Sequence, residues 1–210
     1  MAEDRNAQER WTSDGLYDEY SKAANPIGAG LISKVPMADF PHHLHESGPT
    51  QIIPFDLSEA MKCPGPATSP ALCSNFIHIR PGERIRTAPN ATSELYYVIR
   101  GTGSTRVHDA AIRWARGEFL TFPARSVADH AADADAAFYW VHDEPLLPYL
   151  GVTATTPRFR PTLYPSHRAR MELERVEQEP IQDAGLHTYL RTLDIHFVHK
   201  DPKVYISQKG

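Results

Sequence analysis

Residues 88–101 read Ala-Pro-Asn-Ala-Thr-Ser-Glu-Leu-Tyr-Tyr-Val-Ile-Arg-Gly, and this stretch decides the fold. Its second half, Leu95–Arg100, is rich in aromatic and β-branched residues, which favour strands. Glycines at 101 and 103 then end the run. Because side chains alternate along a strand, one face carries Glu94, Tyr96, Val98 and Arg100.

Further short strands are predicted on both sides of this run. They are Asn75–Arg80, Ser104–His108, Ile112–Trp114, Gly117–Phe122 and Phe138–His142. Turn residues such as Pro81-Gly82 and Pro123 separate them. Short strands at regular intervals with turn residues between them are typical of an antiparallel sandwich or barrel.

The flanking sequence predicts short helices and loops. Ser13 is a candidate cap for a helix that ends at Asn25-Pro26, and Ser166 caps a second helix over His167–Glu179. Pro36–Pro70 is rich in proline and glycine and is expected to wrap a core built elsewhere. We therefore divide the chain into an N-terminal extension (1–69), a barrel (70–151) and a C-terminal extension (152–210).

Composition excludes several classes of protein. The 210 residues include 22 Lys and Arg against 26 Asp and Glu, a net charge of −4, which disfavours a nucleic-acid partner. Two cysteines are too few for a disulfide scaffold. No apolar run reaches the roughly 18 residues of a membrane helix, and the charged start Met1–Arg10 does not resemble a secretory signal. These features predict a soluble cytoplasmic protein without a membrane or nucleic-acid partner.

The spacing of the middle segment resembles the two motifs of the cupin family. For the first motif, Gly82, Glu94 and Gly101 stand at the expected intervals, and its two histidine positions fall on Ala88 and Asn90. For the second, Gly117 and Pro123 match, whereas its glycine falls on Arg125 and its histidine on Ala128. The resemblance implies an all-β core, the cupin double-stranded β-helix or jelly-roll barrel, with flanking short helices.

A narrower resemblance points to gentisate 1,2-dioxygenase-like cupins. Residues 88–101, Pro123–His130 and 143–151 are similar to segments of their first barrel. That family implies two barrels and an iron(II), held by three histidines, that binds O2 and opens an aromatic ring. Ala88, Asn90 and Ala128 stand here in place of histidines.

The tail carries a second expectation from the same resemblance. Residues 181–195 are similar to the end of the second barrel, which predicts that the barrel itself is missing between Pro180 and Ile181. A short paralogue and a truncated gene would read alike.

Candidate site residues follow from strand parity. Asn90, Glu94 and His130 are expected to face one cavity, either as a weakened metal site that would take Fe(II) or as a hydrogen-bonded polar cluster in a metal-free barrel. Side chains expected to contact the same cavity are Tyr96, Arg100, His78 and Trp140. No catalytic residue is assigned.

Three functions remain open at this point. The chain is the first barrel of a dioxygenase-like protein, inactive in this form; or a module that binds a small aromatic or carboxylated ligand; or a structural, dimerising jelly roll. A homodimer is predicted because an apolar surface should be left on the barrel. The candidates for that surface are Phe119, Phe122, Phe138 and Trp140, although strand alternation is expected to place some of them in the core.

Overall fold

The computed structural model describes Gly15, residues 19–30 and residues 36–178. Residues 1–37 and 38–210 form two compact units, and each is described by itself. In the first, α1 (Tyr20–Ala23) ends just before Asn25, whose side-chain oxygen accepts a hydrogen bond from the Gly28 amide at 3.0 Å. The predicted Ser13 cap and the tail segment 181–195 lie outside the described residues.

The second unit is built from antiparallel strands with short helices around them. Its strands are β1 (Gln51–Pro54), β2 (Cys73–Ile79), β3 (Arg84–Thr87), β4 (Ser93–Arg100), β5 (Thr102–Val107), β6 (Ala110–Ala115), β7 (Phe119–Pro123), β8 (Ala128–Ala132), β9 (Ala136–His142) and β10 (Thr162–Tyr164). Its helices are a 3₁₀ helix (His42–His45), α2 (Ser58–Met61), α3 (Leu146–Leu150) and α4 (Ser166–Gln178).

The strands form two sheets that enclose a common interior. The larger sheet has the order β1-β2-β9-β4-β7-β10, and the smaller has the order β3-β8-β5-β6. Neighbours within each sheet are mostly not consecutive in the chain, because the chain crosses repeatedly from one sheet to the other. This arrangement confirms the predicted all-β jelly-roll core.

The core lies between the inward faces of the two sheets. Tyr96 and Val98 of β4 are fully buried, as alternation predicted, and they pack with Phe138 of β9. The prediction of an exposed apolar surface is wrong for Phe122, Phe138 and Trp140, because alternation places all three inside. Phe119 alone has the opposite parity, and its ring lies 4.7 Å from that of Tyr97.

Strands β3 and β8 lack the residue types that favour a strand. The sequence Arg-Ile-Arg-Thr of β3 is charged, and Ala-Asp-His-Ala-Ala of β8 has low strand propensity, yet the two pair in register. Strands β1 and β10 form the edges of the larger sheet, so that sheet extends beyond residues 70–151 on both sides. Among the described residues, no helix combines the length and the apolar character needed to cross a membrane.

Candidate functional site in the barrel interior

A continuous chain of hydrogen bonds runs through the barrel from the smaller sheet to the larger one. We call it the interior network, and it consists of Trp114, Thr105, His130, Thr87, Tyr96, Glu94 and Trp140. Each of these side chains is no more than 5 % exposed. Each polar group therefore depends on its neighbours in the network for hydrogen bonding.

The donor and acceptor pattern around His130 fixes its tautomer. Tyr96 donates its hydroxyl proton to Glu94, so the Thr87 hydroxyl donates to Tyr96 and can only accept from His130 Nε2, at 3.1 Å. His130 therefore carries its proton on Nε2, and its Nδ1 accepts from the Thr105 hydroxyl at 2.8 Å. Thr105 Oγ1 in turn accepts from Trp114 Nε1 at 3.0 Å.

The same direction continues to Glu94. The Thr87 hydroxyl donates to Tyr96 Oη at 2.6 Å, and Tyr96 donates to Glu94 Oε2 at 2.5 Å. Trp140 Nε1 donates to the same carboxylate oxygen at 3.1 Å. Both indoles thus close the network, one at each end, and every hydroxyl both accepts and donates.

Burial keeps the members of this network uncharged. It lowers the pKa of His130 to about 3, so the imidazole is neutral at physiological pH. Burial raises the pKa of Glu94 to about 8, although hydrogen bonds from Tyr96 and Trp140 pull it down. Burial and the neighbouring Glu94 raise the pKa of Tyr96 far above its usual range. The interior is a polar region without fixed charge.

A second group of polar side chains closes one end of the barrel. Glu94 pairs across the sheet with His142, and His142 pairs with Cys73. The Asn75 amide nitrogen lies 3.3 Å from His142 Nε2, whereas His142 Nδ1 is buried without a hydrogen-bond partner. Burial lowers the pKa of His142 and raises that of Cys73 to about 11, so the imidazole is neutral and the thiol protonated.

The positions implied as histidine ligands do not form a metal site. Ala88 is exposed just beyond β3, and Ala128 is buried with no donor atom. Asn90 Oδ1 accepts a hydrogen bond from the Ala154 amide at 3.2 Å, and both ring nitrogens of His130 are engaged by threonines. These residues do not fit an iron(II) held by three histidines. Within residues 36–178, no cluster of three or more His, Cys, Asp or Glu is arranged to hold a metal ion.

The residues predicted to face the cavity divide into three sets. Glu94, His130, Tyr96 and Trp140 come together in the interior network, whereas Asn90 contacts the loop at Ala154. Arg100 and His78 are not part of that network. A β-bulge between Val98 and Arg100 shifts the parity of the strand end, and His78 alternates with the core residues Ile77 and Ile79.

Arg100 and His78 belong to a separate group that we call the strap cluster: His45, His78, Arg100 and Asp135. Asp135 binds Arg100 Nε at 2.7 Å and His78 Nε2 at 2.7 Å. Arg100 also donates to His45 Nδ1 at 2.6 Å and to its carbonyl, and His78 Nδ1 lies 3.0 Å from the Pro49 carbonyl. The cluster thus fastens residues 45–49 to the barrel.

Sequence reasoning missed Thr87, Thr105 and Trp114. The register of β5 and β8 places Thr105 directly opposite His130, and no local pattern in either strand announces that pairing. The available signal was alternation: Thr87 and Thr105 are polar residues at inward positions of short strands. Such residues need buried partners, and a buried histidine provides them.

Comparisons with known proteins find similar proteins both by sequence and by structure. No family model matches the chain. It is 35 % identical over 86 residues to 5-aminosalicylate 1,2-dioxygenase of Comamonas sp, which is 40 % of this chain and 23 % of that protein. Salicylate 1,2-dioxygenase of Pseudoaminobacter salicylatoxidans, solved as adducts with gentisate, has a TM-score of 0.44 at 16 % identity over 55 % of this chain and 30 % of its own. A cupin superfamily protein of Desulfitobacterium hafniense has a TM-score of 0.39 at 17 % identity over 52 % of this chain and 94 % of its own.

The antiparallel two-sheet barrel with a buried polar interior is a jelly roll. Over 86 residues, this chain is similar in sequence to a 1,2-dioxygenase. It spans about a quarter of the length of the curated relative that it matches.

Proposed function

We propose that this barrel is a metal-free cupin module related to ring-cleaving dioxygenases, and that it does not itself carry out ring cleavage. The observation that carries the proposal is the engagement of both His130 nitrogens by threonine hydroxyls inside a closed network. In such a barrel the interior network replaces the histidine-held iron(II) that the family resemblance implies.

The chemistry of the network supports this view. A metal on His130 would have to displace either Thr87 or Thr105, which would remove one of the two hydrogen bonds that the buried hydroxyl makes. Losing such a hydrogen bond costs about 0.5–1.5 kcal/mol. The remaining nearby donor, Glu94, has its pKa raised to about 8 by burial and is mostly protonated at neutral pH, whereas a carboxylate must be ionised to hold a metal.

Metal analysis tests the proposal. We expect the purified protein, after anaerobic incubation with Fe(II) and desalting, to retain far less than one iron per chain, and to consume no O2 with gentisate. His130→Gln is the control, because iron held by adventitious surface sites stays the same in that variant. Stoichiometric iron that disappears with His130→Gln would overturn the proposal.

We also propose that the module binds a small carboxylated ligand. A pocket of about 190 Å³ lies beside the loop that carries Thr92. Its polar lining residues are Thr92, whose hydroxyl already donates to Asp143, together with Thr155, Thr156 and Arg158. Arginine beside hydroxyl donors suits a carboxylate.

A cytoplasmic location stays a sequence-based prediction.

Thermal shift tests this binding. Benzoate and gentisate are expected to raise the melting temperature, and Arg158→Gln to abolish the rise. Arg168→Gln removes an exposed cation from α4 and serves as the matched control. If Arg158→Gln keeps the full shift, the pocket is not the binding site.

A further inference from the structure

The outward face of the smaller sheet carries four arginines. Arg84 and Arg86 project from β3, Arg106 from β5 and Arg113 from β6, and all four are exposed. We call this surface the arginine face. Within the described residues, Asp129 and Asp133 are the carboxylates that pair with it, which leaves a net charge of +2 on a chain whose total is −4.

Strand register sets the spacing of these arginines. One row across the sheet runs Arg86, Asp129, Arg106, and the next runs Arg84, Ala131, Ser104, Arg113. Arg84 and Arg113 therefore stand three strand spacings apart, about 14 Å. Between them the floor consists of small side chains, so an extended chain of about four residues has room to lie across the sheet.

Two of the arginines form ion pairs and two do not. Arg86 binds Asp129 through Nε at 2.8 Å and Nη2 at 3.1 Å, and Arg113 binds Asp133 at 2.6 Å. Within residues 36–178, Arg84 and Arg106 make no ion pair within 4 Å, although Arg106 stands opposite Asp129 across β5 and β8 and interacts with its charge. Charged residues on edge strands normally protect a sheet from aggregation. Charges of either sign give that protection, so it does not explain why all four residues are arginines. It also does not explain Arg106, because β5 is an inner strand of the smaller sheet.

We propose that the arginine face is a docking surface for a carboxylate-rich segment of a partner protein. Guanidinium groups bind carboxylates in a bidentate fork, as Arg86 and Asp129 do here, and two such groups are left for a partner. A net charge of +2 is small against the phosphate density of a nucleic-acid duplex, which carries one charge per about 1.7 Å. A short acidic peptide therefore fits the surface better than a nucleic acid.

Fluorescence anisotropy with a labelled peptide of alternating glutamate and serine tests the proposal on the full chain. We expect salt-sensitive binding that weakens about threefold to tenfold in the double variant Arg84→Gln, Arg106→Gln. The double variant Arg168→Gln, Arg170→Gln removes the same charge from α4 and is expected to bind as the parent does. A glutamine-serine peptide is expected not to bind.

Three results would overturn the proposal. The first is unchanged binding in the Arg84, Arg106 variant while its circular dichroism matches the parent. The second is an equal loss in the α4 variant, since the effect would then reflect total charge alone. The third is tighter binding of a labelled single-stranded oligonucleotide than of the acidic peptide.

Discussion

His130 depends on Thr105 and Thr87 for both of its ring nitrogens. Thr105→Val keeps the shape of the side chain but leaves His130 Nδ1 and Trp114 Nε1 without a partner in the core. We expect the free energy of unfolding to fall by about 1–3 kcal/mol, because an unsatisfied buried group keeps its full desolvation cost. Urea denaturation measures this loss.

The chain contains a matched control for this substitution. Thr121 Oγ1 is buried with no hydrogen-bond partner, so Thr121→Val removes a hydroxyl that makes no bond. We expect Thr121→Val to leave stability unchanged or to raise it by about 0.5–2 kcal/mol. Equal losses in Thr105→Val and Thr121→Val would mean that the interior network contributes nothing beyond packing.

Ionisation of Glu94 is expected to lower the free energy of unfolding at high pH, and protonation of His130 is expected to lower it at low pH. The pKa of Glu94 is raised from 4.5 to about 8, so its contribution is complete below pH 4.5 and is lost as pH rises toward 8. The pKa of His130 is lowered from 6.5 to about 3, so its contribution is complete above pH 6.5 and is lost as pH falls toward 3. Stability is therefore expected to peak at mildly acidic pH.

Glu94→Gln separates the two limbs. A neutral amide cannot ionise, so we expect the loss above pH 6 to disappear while the acid limb remains. The parent should lose on the order of 1 kcal/mol per pH unit between about pH 6.5 and 8, above the range in which His130 contributes, and the variant close to none there. Chemical denaturation at a series of pH values measures both slopes, and parallel profiles would show that Glu94 is ionised in the folded protein.

At the scale of elements, the strap cluster holds residues 45–49 through one carboxylate. Burial acts to raise the pKa of Asp135, but hydrogen bonds from His78 and Arg100 keep it below its usual range. Asp135→Asn removes the charge that binds both partners, and His78 is only 2 % exposed. We expect a loss of about 1 kcal/mol, discounted for the partial exposure of Asp135, and faster amide hydrogen exchange over residues 41–50.

Asp133→Asn is the control for that experiment. Asp133 lies two residues away and pairs with Arg113, and both side chains are more than half exposed. Its loss should change stability by less than about 0.5 kcal/mol and leave exchange over residues 41–50 unaltered. Equal exchange in the two variants would show that the segment is held without the strap cluster.

Elements differ in how much of them the sequence predicts. Strand β4 was predicted with the correct inward residues Glu94, Tyr96 and Val98, because its residue types and alternation agree. Strand β8 is not predicted by its residue types, since Ala-Asp-His-Ala-Ala has low strand propensity and pairs between β3 and β5, and only the motif resemblance places His130 on a strand. The interior network needed that pairing: Thr105 meets His130 by register, which depends on tertiary structure rather than on local sequence.

At the scale of the whole molecule, a homodimer stays a prediction. Three of the four aromatic residues predicted to lie on the dimer surface are buried. The exposed apolar side chains that follow β9 are better candidates, and they are Tyr149, Leu150 and Val152. We expect light scattering to give a dimer mass in the parent and a monomer mass in Leu150→Ser, Val152→Ser. A monomer in the parent across a wide concentration range would contradict this prediction.

The order of the interior hydrogen bonds also bears on how such a barrel evolves. The bonds run from Trp114 toward Glu94 and from Trp140 back to Glu94, so replacing any one member by a metal ligand removes a hydrogen bond from its neighbours before a metal can offset the loss. A lineage that returns to metal chemistry must therefore change several inward residues together, or cross genotypes less stable than either end state. Single substitutions in the network are therefore disfavoured. We expect homologues either to carry Thr87, Thr105 and Glu94 together or to lack all three.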